Sequence, residues 1–455
     1  MVSPPLPAVP YTLVVGLGTT GLSCARFLAR QGQPVVVTDS RPTPPGLESL
    51  IREWPDLVVR VGGFDLPLFQ QASRIVLSPG IAPTEPAVLA ATRQGVPVVG
   101  DIELFAQQAK APVIAITGSN GKSTVTTLVG EIAQHAGYRV AVGGNLGTAA
   151  LDLLPQPGEA EPELYVLELS SFQLETTYSL QAAAGVVLNL SPDHLDRHGT
   201  LANYLAAKAR VYRGDGVMVV NADDPAVMGL VEGKRRVCRF GLGEPSQETD
   251  YGLLAGADGP WLARGRQRLM PADQLRIVGR HNWANALAAL ALVEAVGIAP
   301  TLALPVLQRF GGLSHRCQYV AEIKGVTWYN DSKGTNVGAT EAACAGMPGP
   351  FVLIAGGLAK GQDFTPLGAA LRPQARGVVL MGADRALLRQ ALTGIVPVVE
   401  ASSLGEAVAL AAQLAQPGDR VLLSPACASF DMFRDYLDRG ECFVAEVKRL
   451  AGVSP

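Results

Sequence analysis

Residues 113–127 read Val-Ile-Ala-Ile-Thr-Gly-Ser-Asn-Gly-Lys-Ser-Thr-Val-Thr-Thr, which predicts a strand, a glycine loop and a helix in succession. The β-branched run at the start is typical of a buried strand, and the helix is expected from Lys122 to about residue 137. A glycine loop at a helix start turns backbone N–H groups toward an anion, so this unit can cradle phosphate. Lys122 could reach the β- and γ-phosphates of a nucleotide, and Ser123 or Thr124 could hold Mg²⁺.

The loop is a shortened form of the standard phosphate-binding pattern, because Ile116 stands where that pattern has its first glycine. An ordinary turn with a chance lysine is the alternative interpretation. The intact strand–loop–helix context favours an ATP site. The residues we expect around the phosphates are Gly118, Ser119, Asn120, Gly121, Lys122, Ser123 and Thr124.

The composition is that of a globular protein with several domains. The chain has 455 residues, of which 48% are hydrophobic and 17% charged, and its net charge of −3 provides no basic surface for nucleic acid. The six cysteines lack CxxC pairs, which argues against a zinc site or a disulfide framework. We find no secretory leader and no membrane-length apolar segment, so we expect a cytoplasmic protein without membrane partners. We also expect a monomer without nucleic-acid partners.

The first hundred residues have a Rossmann-like pattern. A strand at 11–16 runs into Gly16-Leu-Gly-Thr-Thr-Gly21, and a second strand at 34–38 ends at Asp39, about twenty residues past the glycines. An acid at that distance can bind a ribose hydroxyl. This motif leaves three interpretations open: a dinucleotide, another nucleotide, or a purely structural turn.

Polar residues follow the predicted strands of the next two hundred residues. Glu168 ends the strand at 164–169, and His194 lies in the loop after the strand at 186–190. Since ligands gather at the carboxyl ends of parallel strands, we expect both side chains near Lys122. A helix at 201–213 carries Lys208, and residues 232–275 predict an antiparallel excursion.

The remaining residues again alternate between strand and helix. Arg316 and Lys333 could neutralise phosphoryl oxygens during a transfer reaction. Asp331 could pair with Lys333 or bind the ribose of the nucleotide, and Ser429 could merely cap a helix that starts there. The predicted strands are 326–330, 351–355, 377–381, 396–400 and 420–424.

These patterns predict an α/β protein with three domains. They are a Rossmann-like N-terminal domain (1–100), a central P-loop mononucleotide-binding α/β domain (101–312) and a C-terminal Rossmann-like α/β domain (313–455). From the residues alone we expect an ATP-using enzyme that takes a nucleotide-like substrate in its first domain and closes its third domain over both ligands.

Several motifs, in this order, resemble the Mur ligases from about residue 11 to 445. They are Thr117-Gly-Ser-Asn-Gly-Lys-Ser-Thr124, Leu167-Glu-Leu-Ser-Ser-Phe-Gln173, Asp193-His-Leu-Asp-Arg197, His281-Asn282, His315-Arg316 and Asn330-Asp-Ser-Lys333. The resemblance implies an ATP- and Mg²⁺-dependent ligase of peptidoglycan precursor synthesis. It would add D-glutamate to UDP-N-acetylmuramoyl-L-alanine through an acyl phosphate, with two magnesium ions.

The resemblance also implies roles for individual residues. Those implied to be catalytic are Lys122, Glu168, His194, Lys208 and Lys333, and the implied metal ligands are Ser123, Glu168, His194 and Lys208, with Lys208 carbamylated. Asn282, Arg316 and Asp331 would serve the adenine and ribose of ATP. The implied D-glutamate residues are Lys333, Thr335, Lys360, Ser429 and Phe430. The implied UDP-sugar residues are Thr19, Thr20, Asp39, Arg41, Gly80 and Asn145, which favours a uridine nucleotide over NAD.

Two other functions remain as alternatives. One is a related ligase with another acceptor, either a different Mur ligase or a folylpolyglutamate-type enzyme, and the glycine-rich first domain argues against the folate enzyme. The other is an NAD-dependent dehydrogenase, which would leave the phosphate loop and the Asn330–Lys333 motif unexplained.

Overall fold

The computed structural model describes residues 6–231, 235–277, 279–347, 349–372 and 374–452. Strands of these residues form three sheets, one within each predicted domain, so the predicted three-domain α/β fold is confirmed. The boundaries after residues 100 and 312 stay predictions. Over the described ranges no helix has both the length and the apolar character needed to cross a membrane.

The first sheet is parallel, in the order β3-β2-β1-β4-β5. From β1 the chain adds β2 and β3 on one side and then β4 and β5 on the other. This change of side opens a crevice at the carboxyl ends of β1 and β4. A Cβ on Gly21 would lie 1.8 Å from the Gly16 carbonyl oxygen, so the helix start approaches the strand too closely for any side chain. The strands are β1 (Thr12–Val15), β2 (Val35–Asp39), β3 (Val58–Val61), β4 (Arg74–Leu77) and β5 (Val98–Val99). The helices are α1 (Thr19–Arg30), α2 (Leu47–Glu53), α3 (Leu66–Gln70) and α4 (Pro86–Arg93).

The second sheet has the order β14-β13-β12-β11-β10-β9-β6-β8-β7 among the described residues. The strands are β6 (Val113–Thr117), β7 (Val140–Gly144), β8 (Leu164–Glu168), β9 (Ala184–Val187), β10 (Val217–Asn221), β11 (Val237–Phe240), β12 (Tyr251–Gly256), β13 (Gly259–Arg264) and β14 (Gln267–Pro271). The helices are α5 (Asp101–Ala106), α6 (Lys122–His135), α7 (Ser171–Glu175), α8 (Leu195–His198), α9 (Leu201–Ala209), α10 (Pro225–Met228), α11 (Arg280–Ala295) and α12 (Pro300–Arg309). Short 3₁₀ helices span Ala150–Leu153, Arg210–Tyr212 and Ala272–Gln274.

Two predictions for this domain need correction. The antiparallel excursion begins later than expected, because β11 still pairs with β10 in parallel and antiparallel pairing starts only between β12 and β13. Residues 232–234 of that predicted segment lie outside the described residues. The helix predicted at 201–213 ends at Ala209 and continues as a 3₁₀ turn.

The third sheet has the order β15-β16-β20-β17-β18-β19 among the described residues. The strands are β15 (Gln318–Ile323), β16 (Val326–Asn330), β17 (Phe351–Gly356), β18 (Ala375–Met381), β19 (Val398–Glu400) and β20 (Arg420–Leu423). The helices are α13 (Val337–Gly346), α14 (Thr365–Leu371), α15 (Arg385–Leu392), α16 (Leu404–Leu414) and α17 (Tyr436–Leu450). The expectation that a helix starts at Ser429 is wrong, because α17 starts at Tyr436 and is capped by the Asp435 side chain.

The apolar cores differ in how they join the domains. One core cluster is shared by the first two domains and contains Val14 of β1 together with Phe105 of α5 and Tyr165 of β8. The two clusters of the third domain contain, among the described residues, no side chain from the other two domains. The third domain therefore has its own core, which permits it to move as a unit.

Candidate active site

Three cavities contain nearly all of the residues singled out from the sequence. The first-domain cavity, about 610 Å³, lies over the crevice of the first sheet and is lined by Thr19, Thr20, Asp39, Arg41, Gly80 and Asn145. The hinge cavity, about 330 Å³, is lined by Asn120, Gly121, Thr124, Asn282, Arg316, Asp331 and Lys333. The central cavity, also about 330 Å³, is lined by Ser119, Asn120, Gly121, Lys122, Ser123, Asn145, Glu168, His194, Lys208, Arg316, Lys333, Thr335, Lys360, Ser429 and Phe430.

The phosphate loop is held in its turned conformation by its neighbours. Gly121 has φ +82°, and a Cβ there would lie 2.5 Å from Asn285 Oδ1, so only glycine fits. The Asn189 side chain, just past β9, accepts from the backbone N–H of Asn120 at 2.8 Å. Lys122 Nζ donates to the carbonyl oxygen of Gly118 at 2.9 Å, which folds its ammonium back over the loop.

Glu168 ends β8 and faces the loop from the neighbouring strand. Its Oε1 accepts from Asn145 Nδ2 at 2.6 Å. Its Oε2 is buried and has no hydrogen-bond partner among the described residues. A buried carboxylate oxygen without a donor is suited to a cation.

Lys208 on α9 is only 1% exposed. Its Nζ donates to the carbonyl oxygen of Gly118 at 2.8 Å and lies 4.4 Å from the centroid of the Tyr204 ring. Burial lowers the pKa of Lys208 well below its ordinary value, and the nearby charge of Lys122 lowers it further. Burial therefore disfavours the charged form of Lys208.

His194 precedes α8 in a left-handed conformation, with φ 54°, which is uncommon for a residue with a side chain. Its ring packs edge-on against Phe172, with centroids 4.9 Å apart. Burial lowers the pKa of His194, although Asp193 opposes this effect. A neutral imidazole is therefore favoured beside the loop.

The third domain reaches the phosphate loop through polar side chains. Asn336, which caps α13, donates to Asn120 Oδ1 and to Asp193 Oδ2, both at 3.3 Å. Sequence reasoning missed Asn336, although it directly follows Thr335, which the resemblance implied to be a D-glutamate residue. These contacts bring the start of α13 against the loop.

Asp331 and Lys333 do not form the ion pair considered from the sequence. The Asp331 carboxylate instead accepts from Ser424 Oγ at 2.7 Å and from the Cys317 N–H at 3.1 Å. Burial raises the pKa of Asp331 to about 6. Asp331 also lines the hinge cavity, where its carboxylate oxygens can each accept a further hydrogen bond.

Lys333 packs on a tyrosine that sequence reasoning missed. Its Nζ lies 3.8 Å from the ring centroid of Tyr436, the first residue of α17, which also lines the central cavity. Burial lowers the pKa of Lys333 to about 8, and Arg316 is the next contribution in the same direction. No motif in the sequence pointed to Tyr436, because it lies in none of the stretches that carried the resemblance.

In the first-domain cavity, the carboxylate of Asp39 is held at the end of β2. It accepts from the Leu17 N–H at 2.7 Å, and Arg41 donates to both of its oxygens, at 2.9 and 2.7 Å. Burial alone would raise the pKa of Asp39, but these hydrogen bonds outweigh it and lower the pKa. The pair presents one arginine and one carboxylate to a ligand in this cavity.

The central cavity can support phosphoryl transfer. Cationic side chains surround a glycine loop at a helix start, which is how developing charge on phosphoryl oxygens is stabilised. Across the described residues, no three His, Cys, Asp or Glu side chains are grouped closely enough to hold a metal by themselves. A divalent cation here would need hydroxyl and phosphate oxygens in addition to Glu168, which suits Mg²⁺.

Three family models match the chain. The Mur ligase MurD-like N-terminal domain matches residues 11–100, the Mur ligase middle domain residues 116–293, and the Mur ligase glutamate ligase domain residues 315–427.

Relatives match over nearly the whole length. A UDP-N-acetylmuramoylalanine–D-glutamate ligase from Nitrosococcus oceani is 56% identical over 454 residues, covering 99% of both chains. The enzyme of the same name from Marinobacter nauticus is 51% identical over 442 residues, covering 96% of this chain and 98% of that one.

Experimentally determined structures share the fold. A UDP-N-acetylmuramate-alanine ligase from Thermotoga maritima aligns with a TM-score of 0.59 at 18% identity, covering 97% of this chain and 99% of that one. MurF from Acinetobacter baumannii aligns with a TM-score of 0.58 at 17% identity, covering 96% and 90%. At these identities the two structures support the fold alone.

Proposed function

Because the chain belongs to the Mur ligase family, we propose that it joins D-glutamate to UDP-N-acetylmuramoyl-L-alanine with hydrolysis of ATP to ADP and phosphate. The observation that carries this proposal is the convergence of all three domains on the central cavity. Asn145 lines both this cavity and the first-domain cavity, so a long substrate bound in the first domain can extend to the phosphate loop. We place this reaction in the cytoplasm and expect a monomer.

We propose that ATP occupies the hinge cavity with its phosphates on the loop. Asn282 and Asp331 would hold the nucleoside, and Lys122 would contact the β- and γ-phosphates. The substrate carboxylate attacks the γ-phosphorus, a carboxyl-oxygen–phosphorus bond forms, and the bond to ADP breaks. Lys122 and Arg316 would stabilise the charge on the transferring oxygens.

The residues present fit magnesium, although the number of ions is itself part of the proposal. Ser123, Glu168 and His194 would hold Mg²⁺, and Glu168 offers the unpartnered Oε2. When bound, Mg²⁺ supplies positive charge that offsets the charge of the phosphates. We propose two ions.

We propose that Lys208 is carbamylated. A neutral amine attacks CO₂, an N–C bond forms, and one proton is released, which leaves a carbamate in place of the ammonium group. The buried environment of Lys208 favours the neutral amine that this step needs. The product would add a carboxylate-like ligand beside Glu168, which would explain why a lysine is buried at a cation site.

The third domain would receive D-glutamate. Its residues on the central cavity include Lys333, Thr335, Lys360, Ser429 and Phe430, to which we add Tyr436. The neutral D-glutamate amine attacks the acyl carbon and a tetrahedral intermediate forms. The amine then loses one proton, the carbon–oxygen bond to phosphate breaks, and the amide and hydrogen phosphate result. A cationic side chain such as Lys333 would orient a substrate carboxylate.

The experiment that tests this function measures phosphate release with ATP, Mg²⁺ and UDP-N-acetylmuramoyl-L-alanine. Parallel samples contain D-glutamate, L-glutamate or no amino acid. We expect sustained release with D-glutamate only. Equal release with L-glutamate, or release only with another acceptor such as a folate, would overturn the assignment of substrates.

A further inference from the structure

Arg439 is a buried arginine of α17 that lies behind the wall of the central cavity. It is 1% exposed. Its Nη2 donates to the Ser332 carbonyl oxygen at 2.8 Å, its Nε to Ser332 Oγ at 3.0 Å, and its Nη1 to the Cys427 carbonyl oxygen at 3.1 Å. One guanidinium therefore joins two loops, one after β16 and the other after β20.

The arginine has no carboxylate as a hydrogen-bond partner in the described part of the chain. Its acceptors are two backbone carbonyls and one hydroxyl, and burial lowers the pKa of Arg439 to about 10. Burying a guanidinium without a directly bonded carboxylate is unfavourable, and these three hydrogen bonds offset part of that cost. The planar guanidinium holds its N–H donors in a fixed arrangement, so it can fix several acceptors at once. The ammonium group of a lysine lacks this arrangement and could not replace it.

The two carbonyls belong to peptide units that lead directly into the cavity wall. A carbonyl lies in one plane with the N–H of the next residue, so the Ser332 oxygen fixes the peptide entering Lys333. The Cys427 oxygen likewise fixes the peptide entering Ala428, which adjoins Ser429. Ala428 and Ser429 line the central cavity, as does Lys333.

Through Ser332, Arg439 also supports Tyr436, which lines the central cavity as well. Ser332 Oγ, which accepts from Arg439, donates to the Tyr436 carbonyl oxygen at 2.8 Å. Tyr436 in turn supports the Lys333 ammonium through its ring. The network places Lys333, Ser429 and Tyr436 on one support that does not itself line the cavity.

We propose that Arg439 is a positioning residue for the amino-acid half of the reaction, setting the spacing between the Lys333 and Ser429 walls that receive D-glutamate. This rests on the proposed function above. Among the described residues, Arg439 donates its hydrogen bonds to Ser332 and Cys427 and none to the phosphate loop or the first-domain cavity. We therefore expect Arg439 to affect capture of the amino acid much more than formation of the acyl phosphate. Small displacements of substrate-holding groups weaken binding and alignment strongly.

The test is Arg439→Lys, which keeps the positive charge and removes the fork. We expect the KM for D-glutamate to rise about tenfold or more, while the KM for ATP changes less than about twofold. Acyl phosphate formed without D-glutamate, trapped by borohydride reduction, should stay near the parent amount. Arg449→Lys, on an exposed part of the same helix, is the matched control and should leave every constant unchanged.

A second variant, Ser332→Ala, tests the proposal if Arg439→Lys folds poorly. Ser332→Ala removes one acceptor of the guanidinium and leaves both carbonyl contacts, so we expect a smaller rise in the same KM with a normal melting temperature. An unchanged KM for D-glutamate in the folded variants, or an equal loss of acyl-phosphate formation, would overturn the proposal. If the parent enzyme does not use D-glutamate at all, the proposed function fails instead.

Discussion

Arg316 Nη2 donates to Ser123 Oγ at 2.7 Å, so a residue at the start of the third domain contacts the helix that follows the phosphate loop. The two residues are 193 positions apart in the chain. Ser123 is also the hydroxyl that we propose for Mg²⁺. The contact therefore links the position of the third domain to the site that we propose for phosphoryl transfer.

Replacing Arg316 by alanine should lower kcat roughly a hundredfold or more, because it removes a cation that we propose lies near the transferring phosphoryl oxygens. The third domain should also close less completely with ATP bound, which small-angle scattering measures as a larger radius of gyration. Arg309→Ala, at the exposed end of α12, is the control and should change neither quantity. If the radius of gyration of Arg316→Ala decreases on ATP binding as much as that of the parent protein, closure of the third domain does not depend on this contact.

Lys208→Ala should lose most activity, because the carbamate that we propose for Lys208 could not form there. Short carboxylates such as formate or acetate should restore part of it by filling the space of the missing group. The rate at saturating substrates, with and without added carboxylate, is the measurement. Lys110→Ala, at an exposed position, should need no rescue. Full activity of Lys208→Ala without additives would remove Lys208 from the site.

The sequence predicted the parts of the fold that depend on local pattern. The β-branched run of β6 and the glycines after it determine a strand and an anion-binding turn within a few residues. Strand β15 escaped prediction, since its residues are mostly half-exposed and it pairs only at a sheet edge.

In the candidate site, too, the residues placed by local sequence pattern were predicted and those placed by packing between distant elements were not. Glu168 and His194 were predicted near Lys122, because parallel strands bring their carboxyl ends to one edge. Tyr436 and Arg439 could not be predicted, since their relation to Lys333 depends on how α17 packs against the third sheet. The local sequence around Tyr436 and Arg439 does not determine how close they lie to Lys333.

Tyr436→Phe should change kinetics little, because the ring beneath the Lys333 ammonium is retained. Tyr436→Leu removes the π face, and we expect the KM for D-glutamate to rise several-fold, in keeping with a cation–π contribution of about 1 kcal/mol. Initial rates over a range of D-glutamate concentrations measure the difference. Equal constants for the two variants would show that the ring does not position Lys333.

Asp101, the first residue of α5, should make stability fall as the pH rises. It is fully buried, its Oδ2 accepts from Gln173 Nε2 at 2.8 Å, and its Oδ1 has no hydrogen-bond partner in the described structure. Burial raises its pKa from 3.8 to about 6, more than the hydrogen bond from Gln173 lowers it. The folded state thus holds this proton more tightly than the unfolded state does.

Between about pH 4 and pH 6 the unfolded chain releases the proton first, so the free energy of unfolding decreases with rising pH by up to about 3 kcal/mol from this group. Asp101→Asn keeps an acceptor for Gln173 and removes the charge. Its stability relative to the parent protein should therefore improve from pH 4 to pH 7 and stay level above that. Urea-unfolding midpoints of both proteins across this range measure the effect, and a difference independent of pH would contradict it.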